Sequence, residues 1–258
     1  MDIKNNPIGF FDSGVGGLSV LRETLSIMPN ENYIYFGDSK NAPYGTKKLE
    51  EVRELTFKAA DFLLSKNVKA IVVACNTATS AAIEQLRENH KDIPVIGIEP
   101  AIKPAVHCER EGKVIVMATP MTLREKKFKL LLQKLNEKDK LISLPCPKLV
   151  EFVEQGILDG DELESYLKDQ LSKYIDDKIS SIVLGCTHFP FVKKTIAKVV
   201  GDDIPLIDGS HGTSMELKRK LIEKDILSDN KDKGYVKIYN SNNDSKVVDF
   251  CYNLINTK

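Results

Sequence analysis

The chain has 258 residues, enough to bury a sizeable core as one large domain or two smaller ones. Lysine plus arginine equals aspartate plus glutamate at 37 each, and 42% hydrophobic against 29% charged residues is the balance of a soluble globular protein, with no bias toward a nucleic-acid partner. No apolar run approaches a membrane span and Met1-Asp-Ile-Lys-Asn5 lacks a signal-type apolar core, so no membrane partner and a cytoplasmic location are expected.

Pro7-Ile-Gly-Phe-Phe11 reads as a strand, followed by the glycine-rich turn Asp12-Ser-Gly-Val-Gly-Gly17 and a helix that Pro29 closes. The turn fails as a dinucleotide fingerprint, because Ser19 stands where the third glycine belongs and no acidic residue follows in a ribose-binding context. Its backbone N–H groups and the Ser13 hydroxyl would still seat a carboxylate or phosphate. The plainer reading is that Asp12 or Ser13 caps the helix.

Tyr33–Phe36 is the next strand, leading into the polar loop Gly37–Gly45, and Leu49, Val52, Leu55, Ala59, Phe62 and Leu63 trace one apolar helix face. The strand Ala70-Ile-Val-Val73 then runs to Cys75-Asn-Thr77 and a helix ending at Asn89, with Pro94–Ile98 as a further strand. A second series opens near residue 100: strand Lys113–Ala118, then Thr119 and a helix to about Asn136, strand Leu141–Leu144, and Pro145-Cys-Pro147. Helices near 148–155 and 161–177 come next, the second with an Asp161-x-x-Glu164 capping pattern. Strand Ser181–Leu184 runs to Cys186-Thr-His188 and a helix to about Val200. Strand Pro205–Gly209, helix Ser214–Glu223, an edge strand Tyr235–Tyr239 and a helix Val247–Ile255 complete the chain.

The two series repeat. Ala70-Ile-Val-Val-Ala-Cys75 and Ser181-Ile-Val-Leu-Gly-Cys186 are near copies, and Cys75 follows Asp12 at nearly the spacing at which Cys186 follows Thr119. Ligands of open α/β folds collect at the carboxyl ends of strands, so two such units facing each other would set two thiols across one cleft. A helix start behind a cysteine can also lower its pKa. Five dispersed cysteines and four scattered histidines make neither a disulfide framework nor a metal site. A cysteine at a strand end is often only a small buried hydrophobe; its presence in both copies favours a function. Cys108, Cys146 and Cys251 lack that context and read as structural, while His90, His107 and His211 read as surface or packing residues.

A thiol and a thiolate on opposite sides of a prochiral carbon can take a proton from one face and return one to the other, which is what racemising an α-amino acid requires. Charge developing on the α-carboxylate needs donors, and Ser13, Asn76, Thr77 and Thr187 are of the right type. Asp12 and His188 could hold or tune the thiols, since a carboxylate keeps a neighbouring thiol protonated and an imidazolium favours thiolate.

Phe11–Val20, Tyr35-Phe-Gly-Asp38, Ala42-Pro-Tyr-Gly45, Ala74-Cys-Asn-Thr77 and Gly185-Cys-Thr-His-Phe-Pro190 closely resemble the bacterial glutamate racemases, within the cofactor-independent aspartate/glutamate racemase group, over about residues 7–210. The resemblance implies two similar α/β domains with mainly parallel sheets facing each other across a central cleft, residues 1–98 plus 208–258 forming the first and 99–207 the second. It implies Cys75 and Cys186 as the proton-transfer pair, Cys75 serving D-glutamate and Cys186 L-glutamate, with Asp12 and His188 assisting. Asp12, Ser13, Tyr44, Gly45, Asn76, Thr77, Thr119, Thr187 and His188 would bind glutamate, and Glu154 matches an acid close to the site. It further implies no cofactor or metal, a homodimer, and supply of D-glutamate for peptidoglycan.

The chain departs from the family pattern at Glu125 and Phe128, at Glu151, and at Ile207-Asp-Gly-Ser210, on the rim of the second unit and at the domain return. Two alternatives stand beside this reading. One is a racemase of the same group acting on aspartate or a related acid; the other is a thiol or binding protein that uses the cleft without turnover.

Overall fold

Because every main strand is covered by helices on both faces, its residues are apolar without alternation, and the runs form parallel sheets. The structure, a computed structural model, describes residues 3–124, 140–174 and 178–256. The first sheet holds β1 (Ile8–Asp12), β2 (Tyr33–Gly37), β3 (Ala70–Val73), β4 (Val95–Gly97) and the late strand β9 (Val236–Asn240), in the order β4-β3-β1-β2-β9. The second holds β5 (Lys113–Ala118), β6 (Leu141–Pro145), β7 (Ile179–Leu184) and β8 (Leu206–Asp208), in the order β6-β5-β7-β8. All pairings are parallel. Matching β1–β4 to β5–β8 in sequence order gives the same spatial order in both sheets, so the internal repeat is a repeat of topology. The added strand β9 lies on the outer edge of the first sheet, as the edge-strand reading expects.

Helices occupy the crossovers. In α1 (Leu18–Ile27) the side chains of Leu18, Leu21 and Thr24 are buried, and in α2 (Leu49–Leu64) Val52, Thr56, Ala59 and Leu63 turn one face inward. Cys75 is the N-cap of α3 (Asn76–Asn89). The chain crosses to the second sheet before α4 (Ile102–Val106) and returns after β8, where Gly209 lies so close to the Glu99 carbonyl that an added Cβ would stand 2.5 Å from it. Next come α5 (Pro120–Arg124), α6 (Pro147–Glu154) and α7 (Asp161–Leu171), whose Leu163, Leu167 and Leu171 are buried at a four-residue spacing. The series ends with α8 (Lys193–Val200), α9 (Ser210–Glu223) and α10 (Ser245–Asn256).

Several local expectations change. Gly17, not Asp12 or Ser13, stands at the N-cap of α1, because the turn closes with its own backbone bonds before the helix begins. Asp161 is the first residue of α7 rather than its cap; Gly160, at φ +100°, precedes it, and Glu164 reaches Lys198 instead of forming a capping box. Helix α9 starts at Ser210, four residues earlier than expected, since Asp208 accepts the Ser210 N–H at 2.8 Å and orders the turn. After Cys186 the chain makes a 3-10 turn, Phe189–Val192, before α8, because Pro190 has no N–H to give an α-helix. Of the helix expected to reach Asn136, the part from residue 125 on, with Glu125 and Phe128, lies outside the described residues, as do residues 175–177 at the end of the expected 161–177 helix.

Candidate active site

The carboxyl ends of β1, β3, β5 and β7 meet between the sheets. Asp12 is the last residue of β1, Cys75 follows β3 by two residues and Cys186 follows β7 by two. Ser13, Tyr44, Gly45, Cys75, Asn76, Thr77, Thr119, Cys186, Thr187 and His188, all anticipated from sequence, line one small cavity of about 20 Å³, together with Pro43 and Val150, which were not. That is room for about one water. Both cysteines are more than nine-tenths buried, with Ser13, Asn76, Thr77, Thr119, Thr187 and His188 among the residues that line the cavity beside them.

The two thiols differ in surroundings. The Cys75 sulfur donates to Ser13 Oγ at 3.5 Å and accepts from the Ala78 N–H at 3.4 Å. Burial, reinforced by the Asp12 carboxylate nearby, pushes this thiol up to about 12 despite those two hydrogen bonds. The helix start behind Cys75 therefore does not lower its pKa, contrary to expectation, because burial outweighs it. On the opposite side the Cys186 sulfur lies 3.6 Å from His188 Nδ1. Burial opposes a charged imidazole there, but hydrogen bonds to Cys186 and Glu154 outweigh it and hold His188 well above its ordinary range. The ring's Nε2 meets Glu154 Oε1 at 2.7 Å. Asp12 is fully buried and raised by that burial, which the His188 charge only partly offsets.

The glycine-rich turn has become a socket for the second unit. Gly14 N–H donates to Asp12 Oδ1 at 2.8 Å, and Val15 N–H donates to Glu154 Oε1 at 2.8 Å. The seat that the sequence offered to a carboxylate is thus filled by the protein's own Glu154. A Cβ at Gly14 would stand 1.8 Å from Glu154 Oε1, and one at Gly16 would stand 2.3 Å from His188 Nδ1, so neither position admits a side chain without displacing an acid–base group. Thr187 Oγ1 donates to Asp12 Oδ2 at 3.0 Å, closing the same junction.

On the other side Thr77 Oγ1 lies 3.0 Å from Thr119 Oγ1 and 3.3 Å from Thr122 Oγ1. Gly45 also packs on Thr119, to which an added Cβ would come within 2.8 Å. The Tyr44 hydroxyl donates to Asp38 Oδ2 at 2.7 Å, and the Tyr35 hydroxyl donates to the Gly14 carbonyl at 2.7 Å. Asp38 and Tyr35 were quoted from sequence only as part of a motif; an acid just past a strand's carboxyl end, next to glycine, was the available signal. The Asn76 Oδ1 atom is buried with no hydrogen-bond partner among the described residues. The other three cysteines sit apart from this lining: Cys146 and Cys251 are fully buried and pushed up to about 12, mainly by burial, and Cys108 is half-buried. Among the described residues no group of three or more His, Cys, Asp or Glu could hold a metal ion, and no helix is long and apolar enough to cross a membrane.

The family model for Asp/Glu/Hydantoin racemase matches residues 17–212. A glutamate racemase of Clostridium botulinum (strain Alaska E43 / Type E3) is 61% identical over 255 residues, covering 99% of each chain. The crystal structure of glutamate racemase from Francisella tularensis in complex with D-glutamate superposes with a TM-score of 0.84 at 35% identity, over 99% of this chain and 95% of that one. A glutamate racemase isoform from Bacillus anthracis gives 0.88 at 33% identity, over 99% and 96%.

Proposed function

The chain belongs to the Asp/Glu/Hydantoin racemase family, and from that premise we propose that it interconverts L- and D-glutamate by a two-cysteine proton transfer. The observation that carries the reading is the placement of Cys75 and Cys186 in one cavity, at corresponding strand ends of two topologically matching sheets.

In this mechanism Cys186, with the His188 imidazolium against its sulfur, acts as thiolate and takes the α-proton of L-glutamate. The C–H electron pair stays on Cα and spreads into the α-carboxylate. Cys75, held as a thiol by burial and by Asp12, gives its S–H proton to the opposite face, leaving D-glutamate, a Cys75 thiolate and a Cys186 thiol. Running the steps backward converts D- to L-glutamate, with Cys75 as base. Ser13, Asn76, Thr77 and Thr187 supply donors for the carboxylates, preorganised at turns where they need no reorganisation as charge develops. The unpartnered Asn76 Oδ1 is an acceptor suited to the α-ammonium group. Tyr44, Gly45 and Thr119 bound the substrate on the far wall, and Glu154 keeps His188 charged and oriented. No step calls on a cofactor or metal.

By the same reading, residues 1–98 plus 208–258 and 99–207 are two domains that part to admit substrate. The enzyme works as a homodimer in the cytoplasm, and its D-glutamate serves peptidoglycan synthesis. Chiral chromatography after incubation with L-glutamate or L-aspartate, without added cofactor, tests the assignment. D-glutamate is expected to form and D-aspartate to lag far behind; a preference for aspartate, or no D-product at all, would contradict it.

A further inference from the structure

Ser19 occupies the position that disqualified the turn as a dinucleotide motif, and the chemistry above gives it no task. It is buried on α1, and its hydroxyl lies 2.8 Å from the Thr187 carbonyl and 2.9 Å from that of Gly16. One hydroxyl has one proton. The Gly16 carbonyl also receives the Ser19 backbone N–H at 3.0 Å, while the hydroxyl is the donor that reaches Thr187. The neighbouring carbonyls of Cys186 and His188 accept the Phe189 and Phe191 N–H groups within their own turn, whereas that of Thr187 faces α1. Arg22, one turn further along α1, places its guanidinium 5.4 Å from the centre of the Phe191 ring, so the same helix grips the segment at a second point.

We infer that Ser19 is a positioning residue: its hydroxyl fixes the Cys186-Thr187-His188 turn against helix α1 and thereby sets where the Cys186 sulfur stands relative to the substrate carbon. Residue 187 is held from both ends by the first unit, its side chain by Asp12 and its carbonyl by Ser19, and the residues on either side of it carry the sulfur and the imidazole. Cys75, on the other face, bonds to Ser13 and Ala78 and not to Ser19 or Thr187. Loss of the hydroxyl therefore displaces one of the two acid–base groups and spares the other. Small misplacement of a reacting group is costly, on the order of tenfold or more in rate.

This inference rests on the racemase reading, so its test has one arm that needs turnover and one that does not. In Ser19→Ala, kcat/KM should fall about tenfold in both directions alike, as an equilibrium constant near one requires. The primary isotope effect on kcat/KM should rise for L-[2-²H]glutamate, whose deuteron Cys186 removes, and should not rise for D-[2-²H]glutamate. Separately, iodoacetamide labelling followed by peptide mass spectrometry should report a several-fold change in the rate at Cys186 and none at Cys75. Wild-type kinetics in Ser19→Ala, isotope effects that rise together, or equal labelling changes at both cysteines would each overturn the positioning role. If the wild-type protein failed to racemise glutamate while the labelling asymmetry appeared, the function would fall and the positioning role would stand.

Discussion

Cys75 and Cys186 are the same residue type in the same topological place, and their neighbours make them chemically unlike. Deep burial and a carboxylate act on the first; an imidazole held charged by its bonds to Cys186 and Glu154 faces the second. On the proposed mechanism, that asymmetry is the charge pattern for L-glutamate, with one thiol to donate and one sulfur beside a cation. Each sulfur is the sole acid–base group proposed for its face. Cys75→Ser and Cys186→Ser should therefore each lower kcat/KM by about 10²–10⁴-fold, because a serine hydroxyl is too weak an acid and its alkoxide too costly to form. Near-normal turnover by either variant, measured with both enantiomers, would remove that cysteine from the mechanism. At this scale the sequence was informative where a residue type repeated: the cysteine pair stood out, and with it Asn76, Thr77, Thr187 and His188. It was silent on contacts between distant segments. That Glu154 would sit in the glycine turn depends on which distant segments meet, and local pattern carries no such information.

At the scale of elements, the glycine-rich turn changes meaning once folded. Its composition suggested an anion seat, and the anion is a side chain of α6 from the other sheet's unit. The glycines are there for close approach: Gly14 admits Glu154 and Gly16 admits the His188 ring. Gly16→Ala should consequently keep the fold and lose activity, since a Cβ 2.3 Å from His188 Nδ1 must push the imidazole away from Cys186. Circular dichroism unchanged with kcat/KM reduced at least about tenfold is the expected result; full activity would mean that His188 has slack the packing does not suggest. Strand positions were legible because parallel, doubly covered strands are unbroken apolar runs, and Ile8–Asp12, Tyr33–Gly37 and Lys113–Ala118 fall where those runs lie. Helix starts were less so. The Asp161-x-x-Glu164 pattern misled because Gly160 can adopt φ +100° and end the preceding turn itself, freeing Glu164 for Lys198.

For the whole molecule, the repeat explains why one site exists rather than two. Each unit contributes one sulfur, and neither unit alone could reach both faces of a carbon. The cavity between them, about 20 Å³, has room for about one water, and on the proposed reading the units part to admit substrate. Stability carries a matching signature. Cys75, Cys146 and Cys251 are buried and raised to about 12, so between the ordinary thiol range near 9 and that value the folded chain keeps protons that the unfolded chain has lost. The unfolding free energy should therefore fall as pH rises above about 9, each such thiol adding a slope of about −1.4 kcal/mol per pH unit. Denaturant titrations from pH 8 to 11 should give a shallower fall for Cys251→Ala than for the wild type; an identical slope would place that thiol's titration elsewhere.

The most direct test of opposed sulfurs is the isotopic content of the first product. L-glutamate is incubated in D2O and both enantiomers are recovered after a few per cent conversion. Two separate groups on two faces predict D-glutamate carrying deuterium at Cα while the remaining L-glutamate keeps its protium. Protium carried over into the D-product would mean that one group serves both faces and would contradict the account.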